Sequence, residues 1–293
     1  MEIQHPNCHF RVQETALAVA NHPQEPILYA YRKDGFFAAY SLPEGEILWE
    51  TFFKPELRIH SFLIDQEAGR VYFSGVGECG GIYGNLTLMG DALNYNERGT
   101  EPILCFLWKN ECHYSQGEFV FDHQWNLLYT LPGFEVQACN AYQTGALYLN
   151  GTLKNRGCVA QIESGKIANY FLKRSSVVTA SQELTEGRLA LSGLRRNGGY
   201  LQILCLATGE ALYEYQHDAT SAFSFYQHTN LLLVPTAYAV LCVSLESYTL
   251  TKLLELPKEY GIRCGYHSGF MSDEYLVLPT TDKDVCLWKL TDL

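Results

Sequence analysis

Apolar and polar residues alternate in short runs along nearly the whole chain, and a 3.6-residue helical period is almost absent. A period of two puts successive side chains on opposite faces, which predicts half-buried β-strands. The strands come in hairpins, each a pair of runs around a polar or Gly-containing turn. "SLPEGEILWE" reads Leu42-x-x-Gly45-Glu46-x-Leu48-x-Glu50, and "CLATGEALYE" reads Leu206-x-x-Gly209-Glu210-x-Leu212-x-Glu214. These copies stand 164 residues apart, four repeats of 41. Looser copies lie at "FDHQWNLLYT", "AQIESGKIANY" and "VSLESYTLTKL".

A second hairpin precedes most of these. "SFLIDQEAGRVYFSGVG", "QACNAYQTGALYLNGTL", "VVTASQELTEGRLALSGL" and "AFSFYQHTNLLLVPTAY" share one design: a strand of small or mixed residues, a polar turn, then a strongly alternating strand. Four antiparallel strands per roughly 40 residues is the signature of a β-propeller blade. The expected fold is therefore all-β, a seven-bladed β-propeller forming one domain over residues 1–293. Six blades with a large insertion is the alternative count, because "GVGECGGIYGNLTLMGDALNYNERGTEP" in blade two is Gly-rich and long. The seventh blade has only three strands before the chain stops at "VCLWKL". An unpaired last strand would leave an exposed edge. The spare N-terminal segment of about residues 8–15, "CHFRVQET", is expected to pair with it as the outer strand and close the ring.

"DKDVCLWKL" (Asp282 to Leu290) resembles the Asp-x-x-Val-x-Leu-Trp-Asp end of a WD-repeat blade, with Lys289 in place of the final Asp. The other blades lack the Gly-His and Trp-Asp dipeptides. The resemblance is to a WD-like or quinoprotein-like propeller, and it implies a rigid disc used for binding. Sugar lactonases of this architecture imply the competing class, an enzyme or small-ligand binder with a divalent metal in the central channel. The inner strands offer Asn140, Thr179, Ser181 and His267 but no cluster of inward carboxylates.

Charge changes the picture next. With 21 basic and 32 acidic residues the formal charge is −11, which disfavours nucleic acid and anionic membranes and suits a basic protein partner. In the propeller strand order the turns inside the hairpins share one end of each blade, the bottom. The links between blades and between second and third strands share the top. Bottom turns then carry Glu25, Glu44, Glu46, Asp65, Glu67, Glu111, Glu163, Glu183, Glu186, Glu210, Glu246, Asp273 and Glu274, against chiefly Lys166. Top loops of blades four and five carry Lys154, Arg156, Lys173, Arg174, Arg195 and Arg196. Top loops also hold His60, Phe134, His217, Tyr238 and Tyr260, and Tyr with Arg is the usual composition of protein-binding hot spots.

Candidate chemistry is sparse. The ten cysteines are scattered singly, with no C-x-x-C pair, and several sit in apolar runs as small buried hydrophobes of a cytoplasmic protein. His5, Cys8 and His9 lack the second ligand pair of a closed zinc site and lie where the closing strand is needed. "GVGECGGIYG" precedes no helix that could hold a phosphate, and no G-x-S-x-G elbow occurs. No run of about 18 apolar residues suggests a membrane span, and the N-terminus has no signal-peptide pattern. The sequence thus predicts a cytoplasmic, non-catalytic, protein-binding propeller, monomeric on its own, without cofactor or metal. Its narrower form is a stand-alone inhibitor, an immunity-type antidote that masks a toxin or enzyme. A scaffold subunit of a larger complex is the other binding role.

Overall fold

The computed structural model describes the chain except residues 1, 23, 56, 141, 144, 164, 173–176, 196–197, 218–223, 256–260 and 262–268. Two short strands open it, β1 (Glu2–Gln4) and β2 (Cys8–Arg11). Blade one follows as β3 (Ala16–Asn21), β4 (Ile27–Arg32), β5 (Phe36–Ser41) and β6 (Ile47–Phe52). Blade two is β7 (Arg58–Asp65), β8 (Arg70–Val76), β9 (Gly81–Thr87) and β10 (Asn94–Arg98). Blade three is β11 (Ile103–Trp108), β12 (Glu111–Gln116), β13 (Phe119–Phe121) and β14 (Leu127–Thr130). Blade four is β15 (Phe134–Cys139), interrupted by the short β16 (Tyr142–Gln143), then β17 (Leu147–Leu153), β18 (Arg156–Glu163) and β19 (Lys166–Phe171). Blade five is β20 (Val177–Leu184), β21 (Arg188–Arg195), β22 (Gly198–Cys205) and β23 (Ala211–His217). Blade six is β24 (Tyr226–His228), β25 (Leu231–Pro235), β26 (Ala239–Ser244) and β27 (Leu250–Glu255). Blade seven is β28 (Phe270–Met271), β29 (Tyr275–Pro279) and β30 (Asp284–Lys289).

Each blade is an antiparallel sheet with its strands in chain order, and the seven make the chain an all-β, seven-bladed β-propeller. Blade two is an ordinary blade, so its Gly-rich stretch is strand and turn, not an insertion. Blade seven takes its outer strand from the N-terminus as expected: β2 pairs antiparallel with β30, with Cys8 opposite Leu287 and Arg11 opposite Asp284. Two strands were not foreseen. β1 adds in parallel to the outer edge of β27, with Ile3 opposite Leu253, and β16 adds in parallel to the inner edge of blade three.

Contacts divide the chain into two compact units. One comprises Met1–Gln4 and Phe106–Leu254, the other His5–Cys105 and Glu255–Leu293. The first holds blades four, five and six with most of blade three. The second holds blades seven, one and two. In both, the core lies between neighbouring blades. Phe37 of blade one stacks on Phe62 of blade two, with centroids 5.9 Å apart, and meets Phe73 at 4.9 Å. Val277, Val285 and Leu287 of blade seven pack on Val19, Leu28 and Tyr40 of blade one. Tyr148 and Val159 of blade four pack on Val178, Leu189 and Leu191 of blade five. Trp288, in the last strand, is fully buried.

A finer repeat appears in the register. The innermost strand slips between Ala16 and Ala18, Ile59 and Ser61, Val136 and Ala138, and Val178 and Ala180. Each slip is a β-bulge that leaves one extra residue: Leu17, His60, Gln137 or Thr179. In three of these blades a glycine of the second strand lies opposite the residue before the slip: Gly75, Gly151 and Gly193. A Cβ on Gly75 would run into the carbonyl oxygen of Arg58, and one on Gly151 into that of Glu135. Each glycine follows a buried polar residue, Ser74, Asn150 or Ser192. The dipeptides Ser-Gly, Asn-Gly and Ser-Gly therefore mark where the inner strand bulges against its neighbour.

Candidate protein-interaction surfaces

Antiparallel order puts the turns inside both hairpins of a blade at one end, and the other connections at the opposite end. Within each unit the links between blades lie at this opposite end, the top. In the unit of blades seven, one and two, the bottom is acidic. The β5–β6 turn shows how it is built. Gly45 has φ +74 and sits on the ring of Phe10, with no room for a Cβ. Glycine alone suits both the left-handed backbone and the close approach. The turn is thereby held on β2, with Glu44 and Glu46 exposed on either side of Gly45. Ser41 Oγ accepts the Glu46 N–H at 3.1 Å, and Ser272 Oγ accepts that of Glu274 at 3.3 Å. Asp65 Oδ1 accepts from Ala68 N–H at 2.9 Å, ordering the β7–β8 turn. The field of these carboxylates is felt by neighbours. Burial chiefly raises the Tyr29 hydroxyl to about 12, and the charge of Glu25 adds to it. Burial raises the Cys8 thiol, Lys289 pulls it back, and Glu44 pushes it up again. Among the described residues, Glu25, Glu44, Glu46, Asp65, Asp273 and Glu274 form no ion pair, although Arg70 and Lys289 lie at the same end.

The top of that unit is the reverse. Lys54 pairs with Glu97 at 3.1 Å, Lys283 with Glu14 at 3.0 Å, and Arg11 with Asp282 at 3.4 Å. Arg32, only 3% exposed, pairs with Asp34 at 2.7 Å and Glu50 at 2.9 Å and also donates to Gln13 and the Tyr40 hydroxyl. Arg11, Arg32, Lys54 and Lys283 at this end are thus paired with carboxylates, although Lys33 and Arg58 have no ion pair among the described residues; Glu25, Glu44, Glu46, Asp65, Asp273 and Glu274 at the other end have none either.

In the unit of blades three to six, the bottom carries Glu163, Glu186, Glu210 and Glu246, all exposed. The expected acidity is weaker here, because Lys109 and Arg188 join Lys166 at this end. Sequence reading missed Arg188 because it opens a strand directly after the turn. Its guanidinium is buried; it donates to the Leu245 carbonyl at 2.8 Å and lies 3.3 Å from Glu186. It fastens the blade-five turn to blade six and neutralises one acid. Glu246 is engaged too, accepting from Asn230 at 2.6 Å.

At the top of this unit Lys154 and Asn155 form a two-residue turn, with φ of 51° and 60°. That left-handed pair matches the twist of the flanking strands β17 and β18. Arg156 stacks over the Phe171 ring at 4.7 Å. Tyr238, between β25 and β26, is 71% exposed. The other aromatic and histidine candidates are placed differently. Phe134 is 3% and His217 9% exposed, so both belong to the packing and not to an exposed surface. Phe134 stands opposite Leu153 in the sheet, and His217 stacks near Tyr215. His60 is a half-buried bulge residue whose pKa falls to about 4, through burial first and the charge of Arg58 second. Arg174, Arg196 and Tyr260 lie outside the described residues, as does Lys173.

Among the described residues no group of three or more His, Cys, Asp or Glu side chains is arranged to hold a metal ion. No described helix is long and apolar enough to cross a membrane. No family model matches the chain, and neither does any curated protein.

Proposed function

We propose that this propeller binds another protein and does no chemistry of its own, and that the acidic bottom of blades seven, one and two meets a basic partner. The observation that carries the reading is the sorting of charge within that unit. Four cations at the top, Arg11, Arg32, Lys54 and Lys283, are held in ion pairs, whereas Glu25, Glu44, Glu46, Asp65, Asp273 and Glu274 project from the bottom without one among the described residues. A field of one sign accelerates encounter with an oppositely charged protein and disfavours like-charged competitors. Rigid hairpin turns hold these carboxylates, so little ordering is needed on binding.

The narrower role is that of a stand-alone inhibitor of the immunity type, which masks a basic toxin or enzyme by covering its surface. The overall charge of −11 supports it, since acidic surfaces complement basic active-site clefts. Affinity capture from the native host, with wild type beside the Glu44→Lys/Glu46→Lys/Glu274→Lys variant, tests both levels. The expected result is one basic protein held at equal stoichiometry, released by salt, lost from the variant, and inhibited in its own activity by the wild type. Retention of the partner by the variant refutes the surface, and a bound partner whose activity is unchanged refutes the inhibitor role.

A further inference from the structure

The tops of blades four and five carry a row of three cations that the acidic-bottom reading does not use. Alternation along β18 puts Gly157 and Val159 on the face that packs on blade five, where Val159 joins Val178, Leu189 and Leu191. Arg156 therefore lies on the opposite face, where it stacks on Phe171. On β21, Arg195 shares the face of Leu189 and Leu191 and so looks back at blade four. Lys154 stands on the turn that leads into Arg156. The spacing is set by Gly157, whose missing Cβ would fall 2.9 Å from the backbone carbon of Val177. Val177 in turn pairs with Leu194, the neighbour of Arg195. Arg156 and Arg195 thus flank a single strand, with backbones roughly two strand spacings, ~10 Å, apart.

Two carboxylates nearby accept hydrogen bonds from neutral donors and keep their charge. Glu135 accepts from the Thr152 hydroxyl at 3.4 Å, and Glu118 accepts the Gly133 N–H at 2.9 Å. Among the described residues Lys154, Arg156 and Arg195 form no ion pair. An Arg that stacks on an aromatic ring keeps its edge donors free for carboxylate oxygens.

We propose that this row is a receptor for an acidic segment of a protein, laid extended across the tops of blades four and five. Side chains on one face of an extended chain recur every ~7 Å, so carboxylates two to four residues apart span the distance between Arg156 and Arg195. The chain's net negative charge disfavours a polyanion such as nucleic acid and favours a short acidic stretch that meets only the row. This site is independent of the proposed acidic one and takes the opposite charge.

The test is fluorescence anisotropy of a labelled decaglutamate peptide with the full chain at low salt. The wild type is expected to bind, weakening as salt rises, and the Arg156→Glu/Arg195→Glu variant to lose about tenfold or more. Lys154→Asn, which suits a left-handed turn and so keeps the fold, is expected to weaken binding by a smaller factor. Lys166→Glu at the other end is expected to leave it unchanged. Absence of peptide binding by wild type, tighter binding of an oligothymidylate or of anionic vesicles than of the peptide, or equal losses in the Lys166 variant would each overturn the proposal.

Discussion

Gly45 lies against the ring of Phe10, so that the β5–β6 turn of blade one rests on the N-terminal strand that completes blade seven. The contact couples two things that look separate in the chain: closure of the last blade, and presentation of Glu44 and Glu46. Gly45→Ala puts a methyl group into the ring and strains a backbone at φ +74. The expected loss is about 2–3 kcal/mol, read from urea unfolding, with weaker partner binding alongside.

The bulge glycines give a sharper contrast. Gly151 faces the Glu135 carbonyl, which belongs to rigid sheet, whereas Gly165 has φ +75 but open space around it. Gly151→Ala is expected to cost about 3 kcal/mol or more, and Gly165→Ala only about 1 kcal/mol from backbone strain. Equal losses in the two variants would show that the bulge does not need glycine.

Legibility of the fold follows from these cases. The two-hairpin repeat and the pairing of β2 with β30 were readable, because alternation fixes faces and an unpaired last strand demands a neighbour. β1 was not, since three residues paired in parallel carry no alternation to detect. Nor were the bulges, because a bulge exists only in the register of two strands. Their trace was nevertheless present, as Ser74–Gly75, Asn150–Gly151 and Ser192–Gly193 at one point of successive blades. At the surfaces, Glu44, Glu46, Glu163, Glu186, Glu210, Glu246 and Glu274 are exposed, since turns are exposed whatever packs around them. Phe134 and His217 were placed poorly because they lie at strand ends, where one residue decides between core and solvent. Arg188 was missed for the same reason: its long side chain runs from a strand end into a neighbouring blade.

Histidine 60 links stability to acid. Its pKa in the fold is about 4 against an ordinary 6.5, so below pH 6.5 the unfolded chain binds the proton first. Stability contributed by neutral His60 is present above pH 6.5 and declines as pH falls towards 4, by up to about 2–3 kcal/mol. Denaturant melts between pH 7 and 4 should show this slope, and His60→Gln should flatten it.

Arg32 holds the top of blade one. Arg32→Ala leaves Asp34, Glu50 and the Tyr40 hydroxyl without their shared donor. Because the guanidinium is buried while its carboxylate partners are partly solvated, the expected cost is about 2–3 kcal/mol, seen as a lower urea midpoint at unchanged m-value.

The central claim is that a one-signed acidic bottom on blades seven, one and two recognises a basic protein. Its most direct test is the association rate with the captured partner across a salt series, for wild type and for Glu44→Lys/Glu46→Lys. The account predicts a fast rate for wild type that falls steeply with ionic strength, and a slower rate with a shallower salt dependence for the variant. Identical salt slopes for the two proteins would contradict it.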